Sequence, residues 1–368
     1  MKSAKVVSKM KITAPYLGML HRAYGPVLKN AGVEIIYPPK PTKRTLDLGT
    51  KHAPEFACFP FKVTLGSMME ALELGADTIF MIGGWGPCRF GYYDVIQEQI
   101  LKDLGYQFIM GSANNPDALR DMLDLMQRIS GSRSRLSLYK IFFSILIRLS
   151  FLDWILKKYF HTKPYELVSG DADRILEKAL SLIENSFPLP QLLKSVSIIS
   201  FWFRRMKRKN GVTPLRVAMV GELFTVLDPS ANMEIDRWLA RRGIEVIKSV
   251  WLSDYANDRF RFKPFRRNQF KFSSRHARPY LRFHSGGESI ESVGKTVYYA
   301  KNGVDGVIHI FPFTCMPELV AQTILTKVQK DLNIPILTLI IDEHTAAGGM
   351  ETRLEAFIDL LERRRRRR

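Results

Sequence analysis

Apolar positions along the chain fall into two recurring patterns. Short, β-branched runs bounded by glycine or proline read as buried strands, and segments with apolar residues every three to four positions read as helices. MKITAP at 10–15 predicts a first strand, residues 21–30 a helix stopping at Gly32, and GVEII at 32–36 a second strand before the proline-rich loop at 38–41. CFPF at 58–61 opens a helix that carries Leu65, Met68, Met69 and Leu72 on one face and ends at Gly75. TIFMI at 78–82 is a third strand; the glycine-rich loop GGWGPC follows and leads into an amphipathic helix over 92–104. Strands alternating with helices at this spacing predict an α/β fold with a parallel, doubly wound sheet.

From about residue 115 to 212 the pattern becomes wholly helical, rich in Leu, Ile, Phe and Ser, and closes on the cluster RRMKRK at 204–209. The second half then repeats the first. LRVAMV at 215–220 answers the opening strand, GIEVI at 243–247 answers GVEII, and GVDGVIHI at 303–310 answers GADTIFMI at 75–82. Four regions are expected: an α/β subdomain over 1–114, a helical insert over 115–212, a second α/β subdomain with its C-terminal helix over 213–362, and a solvated, disordered arginine tail over 363–368.

A hydrophobic content of 46% over 368 residues is ample for packed cores. The formal charge of +19 would attract nucleic acid, an anionic membrane face or a phosphorylated small molecule. The N-terminus is basic without the apolar core or cleavage site of a signal peptide, and three scattered cysteines give no disulfide framework, so a cytoplasmic protein is expected. Residues 136–156 approach membrane-span length, but Lys140, Arg148 and Asp153 interrupt them, so a buried or interface-facing helix is expected rather than a span. Residues 259–283 hold nine Lys or Arg, no acid and interleaved aromatics. Strand-period alternation at Arg259, Phe260, Arg261 and Phe262 favours a solvated edge, ahead of an acidic partner or CoA, and both ahead of nucleic acid.

The candidate chemistry lies in the three cysteines. Cys88 follows a strand and opens a helix, where backbone N–H groups and Arg89 are expected to lower its pKa. Cys315 occupies the equivalent loop of the repeat, twelve residues after Gly303 where Cys88 comes thirteen after Gly75. Cys58 precedes a helix, and the repeat places Gly286 opposite it. Ligands of open α/β sheets bind beyond the carboxyl ends of the strands, so all three sulfurs can meet at that edge. Soft thiolates select zinc, copper(I) or iron–sulfur clusters, and without a CxxC pair three separate loops suit a cubane with one open iron. The alternative is that each cysteine is a small buried apolar residue. His284, His309 and His344 are candidate fourth ligands, or ordinary packing and surface histidines. Lys62 and Arg89 could offset cluster charge or bind a CoA phosphate, or be merely solvated. Glu343 and His344, beyond the last strand, could transfer protons, or join Asp342 and Thr345 in capping a helix.

Four motifs carry a resemblance: ACFPFK at 57–62, GPCRFGYY at 86–93, FPFTCMPE at 311–318, and IDEHT at 341–345 with TRLEAF at 352–357. They resemble the acyl-CoA dehydratase activase-related proteins (CoA protein activases), which are similar to the iron–sulfur subunits of 2-hydroxyacyl-CoA dehydratases and benzoyl-CoA reductases. The likeness covers most of 10–112 and 213–362. It implies two flavodoxin-like (Rossmann-like) subdomains with a helical part and a [4Fe-4S] cluster on Cys58, Cys88 and Cys315. It also implies an acyl-CoA substrate or ligand, a second related subunit, and a separate ATP-dependent activator that injects a low-potential electron. In the catalytic relatives that electron makes a ketyl radical that expels the hydroxyl. The expected role is thus a lyase or an electron-transfer component. No GxxxxGK[ST] loop or acetokinase-type ATPase motif occurs, so the chain itself reads as the cluster-bearing partner. A non-catalytic protein using its basic face is the alternative.

Overall fold

The computed structural model describes residues 10–81, 83, 88–112, 118–130, 134–260 and 268–367. The first half runs β1 (Lys11–Thr13), α1 (Leu20–Asn30), β2 (Glu34–Ile35), α2 (Lys43–His52), α3 (Phe59–Glu73), β3 (Thr78–Met81), α4 (Tyr93–Asp103) and β4 (Ile109–Ser112). Four helices follow: α5 (Ala118–Ser130), α6 (Arg135–Thr162), α7 (Asp171–Asn185) and α8 (Leu189–Arg205). The second half runs β5 (Arg216–Gly221), α9 (Leu223–Leu227), α10 (Ile235–Arg241), β6 (Glu245–Lys248), α11 (Leu252–Arg259), α12 (Gln269–Ala277) and α13 (Ser289–Lys301). It ends with β7 (Gly306–Pro312), α14 (Met316–Asp331), β8 (Ile336–Ile341) and α15 (Ala347–Arg366).

Two four-stranded sheets result, ordered β2-β1-β3-β4 and β6-β5-β7-β8, with every pairing parallel. This is the flavodoxin-like order, with a switch point between β1 and β3 in one sheet and between β5 and β7 in the other. The repeat has a physical cause at each strand start. Asp77 accepts a hydrogen bond from the Lys11 backbone N–H (2.9 Å), and Asp305 accepts one from that of Arg216 (2.8 Å). Each thereby ties a central strand to the turn before its neighbour. The cation opening each strand reaches the acid opening the outer one, Lys11 to Glu34 at 3.8 Å and Arg216 to Glu245 at 3.4 Å. The offset between Gly75 and Gly303 also relates Thr45 to Ser273 and Gly66 to Gly294. A β-carbon on Gly66 would lie 1.9 Å from the Thr45 carbonyl oxygen, and one on Gly294 2.1 Å from that of Ser273. Only glycine lets each helix pair cross this closely.

The helical segment is a packed layer. Leu138, Phe142, Leu146, Leu149, Leu152, Ile155 and Tyr159 recur along α6 at helical spacing and join the largest core, which also takes residues from β5, β6 and α1's Ala23. Of the charges that interrupt this helix, Lys140 is exposed, while Arg148 and Asp153 find partners inside the protein. The Arg148 guanidinium donates to the carbonyls of Ile183 (2.5 Å) and Ser186 and lies 3.9 Å from the Phe187 ring centroid, while Asp153 accepts from the Ser253 N–H (2.7 Å). No helix among the described residues is long and apolar enough to cross a membrane.

Three expectations are corrected. The arginine tail is helical through Arg366, because Arg364 donates to the Asn333 carbonyl (2.5 Å) and Arg365 to that of Thr213 (2.8 Å). The basic segment is no strand where it is described: α11 ends at Arg259, Phe260 packs edge-on against Phe142 at 4.8 Å, and α12 is helical. Residues 261–267 lie outside the described residues. The helix expected over 92–104 is preceded by a single 3-10 turn, Arg89–Tyr92, so it is this turn that Cys88 opens.

Candidate three-cysteine site

Each cysteine stands at the N-cap of the element after it: Cys58 before α3, Cys88 before the Arg89–Tyr92 turn, Cys315 before α14. At two of them the sequence explains the geometry. Cys58-Phe59-Pro60 and Cys315-Met316-Pro317 each place a proline in the first helical turn, where its missing N–H costs nothing and its fixed φ favours helix. Cys88 and Cys315 follow β3 and β7, which stand at the two switch points. Residues 82 and 84–87 of the glycine-rich loop lie outside the described residues.

One side chain ties the three segments together. The Arg89 guanidinium donates to the Phe56 carbonyl (2.7 Å), two residues before Cys58, and to the carbonyl (2.5 Å) and Oγ1 (3.2 Å) of Thr314, next to Cys315. Thr314 presents that carbonyl from a left-handed conformation, φ +67°, which a β-branched residue rarely adopts. The Arg89 expected beside the cluster as a charge is therefore a clasp between the halves. A second link crosses nearby: the ammonium of buried Lys62 meets the Glu343 carboxylate. That partner already neutralises Lys62, so its cation is not free for a cluster or phosphate.

The expectation of a lowered Cys88 pKa is overturned. All three cysteines are partly buried, and burial is the largest influence on each. It pushes Cys58 up, against a hydrogen bond with the Tyr93 hydroxyl; Cys88 rises to about 11 and Cys315 further still. Carboxylates of the second half add to this, Glu222 acting on all three sulfurs, Glu288 on Cys88 and Cys315, and Glu318 on Cys315. Such thiols stay protonated at neutral pH unless a cation replaces their protons.

The sequence reading missed four residues here. Tyr93 and Glu318 stand inside quoted motifs but received no role. Glu222 follows β5 as the Pro15 region follows β1, and Glu288 lies two residues past the position opposite Cys58, so strand-end position was the available signal. Glu222 caps α9 through the Phe224 and Thr225 N–H groups (2.8 and 2.9 Å). Burial, then its hydrogen bonds and Glu318, leave Glu222 at about 7. Glu288 is raised well above the usual carboxylate range by burial and by Glu222.

The candidate histidines separate. His309, buried on β7, shares a hydrogen bond with Glu318 (2.7 Å), whose other oxygen accepts from Ser292 (3.0 Å). His284 lies beside Phe270 with ring centroids 5.3 Å apart, and His344 is exposed. Thr345 donates to Asp342 Oδ1 (2.7 Å) and accepts from the Asp342 N–H (2.8 Å), closing the turn after β8, whereas the N-cap of α15 is Ala346. That cluster therefore shapes a turn, where helix capping was expected.

Among the described residues, no group of three or more His, Cys, Asp or Glu is arranged to hold a metal ion. The donor chemistry suits a four-iron core: three soft thiols, from caps at the carboxyl edges of the two sheets, all feel the same Glu222 carboxylate. The rim is apolar, with Phe56, Tyr92, Phe313 and Met316 each more than half exposed. No protein-family model matches the chain, and no curated protein matches it.

Proposed function

We propose that this chain is a [4Fe-4S] cluster protein of the 2-hydroxyacyl-CoA dehydratase type, acting on an acyl-CoA thioester or passing low-potential electrons in such a system. The observation that carries the reading is the Arg89 clasp, which gathers the Cys58, Cys88 and Cys315 segments from both halves at the carboxyl edges of two flavodoxin-like sheets. Cys58, Cys88 and Cys315 would hold the cluster, which would supply one-electron chemistry. The chain's own contribution is to exclude water by burying the thiols, to fix them at three caps, and to hold Glu343 against Lys62. The Phe56, Tyr92, Phe313 and Met316 rim suits a protein partner, here an ATP-dependent activator or a second related subunit.

Anaerobic purification with iron and sulfide analysis tests this. Stoichiometric iron and acid-labile sulfide are expected, lost on Cys88→Ala combined with Cys315→Ala; colourless wild-type protein carrying only trace iron would sink the proposal. A second reading, a binding protein using a basic face, draws on the exposed Lys271, Arg275, Arg278 and Arg282 around α12. Oligonucleotide titration at several salt concentrations separates it, since phosphate neutralisation gives a steep salt slope.

A further inference from the structure

The helical layer carries a surface remote in sequence from the cysteine motifs. α8 turns Leu192, Ser195, Ile199 and Phe203 into the core, and leaves Leu193, Ile198 and Phe201 exposed at 53%, 43% and 51%. On a helical projection these three share the outer half with Lys194, Arg204 and Arg205. Leu167 and Val168 extend the patch, since the Leu167 N–H donates to the Lys207 carbonyl (3.0 Å). Lys194, Arg204, Arg205, Lys207, Arg208 and Lys209 all lie between Glu184 and Glu222, an interval containing no acid. Among the described residues Lys194, Arg204, Arg205, Lys207 and Lys209 form no ion pair, and the Arg205 guanidinium sits 5.3 Å over the Phe201 ring.

The chemistry of this face selects its occupant. Protein interfaces deplete lysine from an apolar centre, whereas here cations and apolar tips are interleaved on one convex helix face. A bilayer surface accommodates that mixture, taking the apolar tips at the headgroup boundary while long cationic side chains reach phosphates. The absence of acid across the whole interval makes the match one for anionic lipid. We propose that the outer face of α8, with the cationic cluster at its end, docks this protein on an anionic membrane surface.

Vesicle co-sedimentation of the full chain tests this, using phosphatidylcholine with and without phosphatidylglycerol. Binding is expected only to the anionic vesicles and should weaken with salt. Arg204→Gln, Arg205→Gln and Lys207→Gln together should reduce partitioning roughly a hundredfold, at about fivefold per cation. Phe201→Ser should lower it further, whereas Arg275→Gln with Arg278→Gln should leave it unchanged. Hydrogen exchange on the wild-type chain provides a readout independent of any variant's folding: α8 should gain protection on anionic vesicles. The proposal is overturned by absence of vesicle binding, by full binding in the triple variant, by loss tracking the α12 cations instead, or by an acidic protein binding through α8 where vesicles do not.

Discussion

Replacing Arg89 with alanine should open the junction between the halves without unfolding either sheet. Its guanidinium makes three hydrogen bonds, to the Phe56 carbonyl and to two oxygens of Thr314. Bonds from a charged donor contribute about 1.5–3 kcal/mol each when shielded, but Arg89 is exposed and water competes, so a total of about 2 kcal/mol is reasonable. Since about 1.4 kcal/mol is a factor of ten, the junction should open roughly thirtyfold more often. The assay is iodoacetamide alkylation of the metal-free protein, read peptide by peptide. Cys58 and Cys315 are partly buried, so their modification reports opening of the segments that Arg89 joins. Roughly thirtyfold faster alkylation at both is expected, and Arg89→Lys should fall between, because one ammonium cannot reproduce the guanidinium fork. Unchanged alkylation rates would refute the clasp.

The close helix crossings predict that Gly294→Ala, with its β-carbon 2.1 Å from the Ser273 carbonyl oxygen, forces α12 from α13. A loss of about 2–4 kcal/mol in urea unfolding is expected, against about zero for alanine at Gly348, where nothing lies within 4 Å. His21 predicts an acid-side weakness. Burial, with Arg22 adding to it, lowers its pKa from 6.5 to about 4, so below pH 6.5 the unfolded chain binds a proton that the folded chain refuses. The stabilisation is complete above pH 6.5 and lost as pH falls towards 4, worth about 2 kcal/mol after discounting residual exposure. His21→Phe, retaining the ring beside Tyr16, should flatten stability against pH across that window; an unaltered slope would exclude His21 as the cause.

What was legible in the sequence was local punctuation. Gly75 and Gly303 end helices at positive φ, and Asp77 and Asp305 lead into strands, so the repeat showed two matching α/β units before any packing was known. The positions of the three cysteines at element starts were legible for the same reason. Their electrostatics were not. Arg89 sits next to Cys88 in sequence, which suggests a charge acting on sulfur, but its guanidinium spends its hydrogen bonds on Phe56 and Thr314, more than a strand and helix away in the chain. Glu222, Glu288 and Glu318 reach the thiols only after the second sheet closes, and no local pattern encodes that approach. The tail erred similarly: six arginines read as solvated until the carbonyls of Asn333 and Thr213 are seen to receive two of them.

Because Arg89 joins elements from opposite ends of the polypeptide, the order of biosynthesis constrains when the three cysteine segments can meet. Cys58 and Cys88 leave the ribosome while Cys315 is still untranslated, with the whole helical layer and most of the second sheet yet to emerge. On the proposed cluster reading, a factor delivering an inorganic core would have to act after translation has passed β7, and a truncated nascent chain would offer it only two of the three sulfurs.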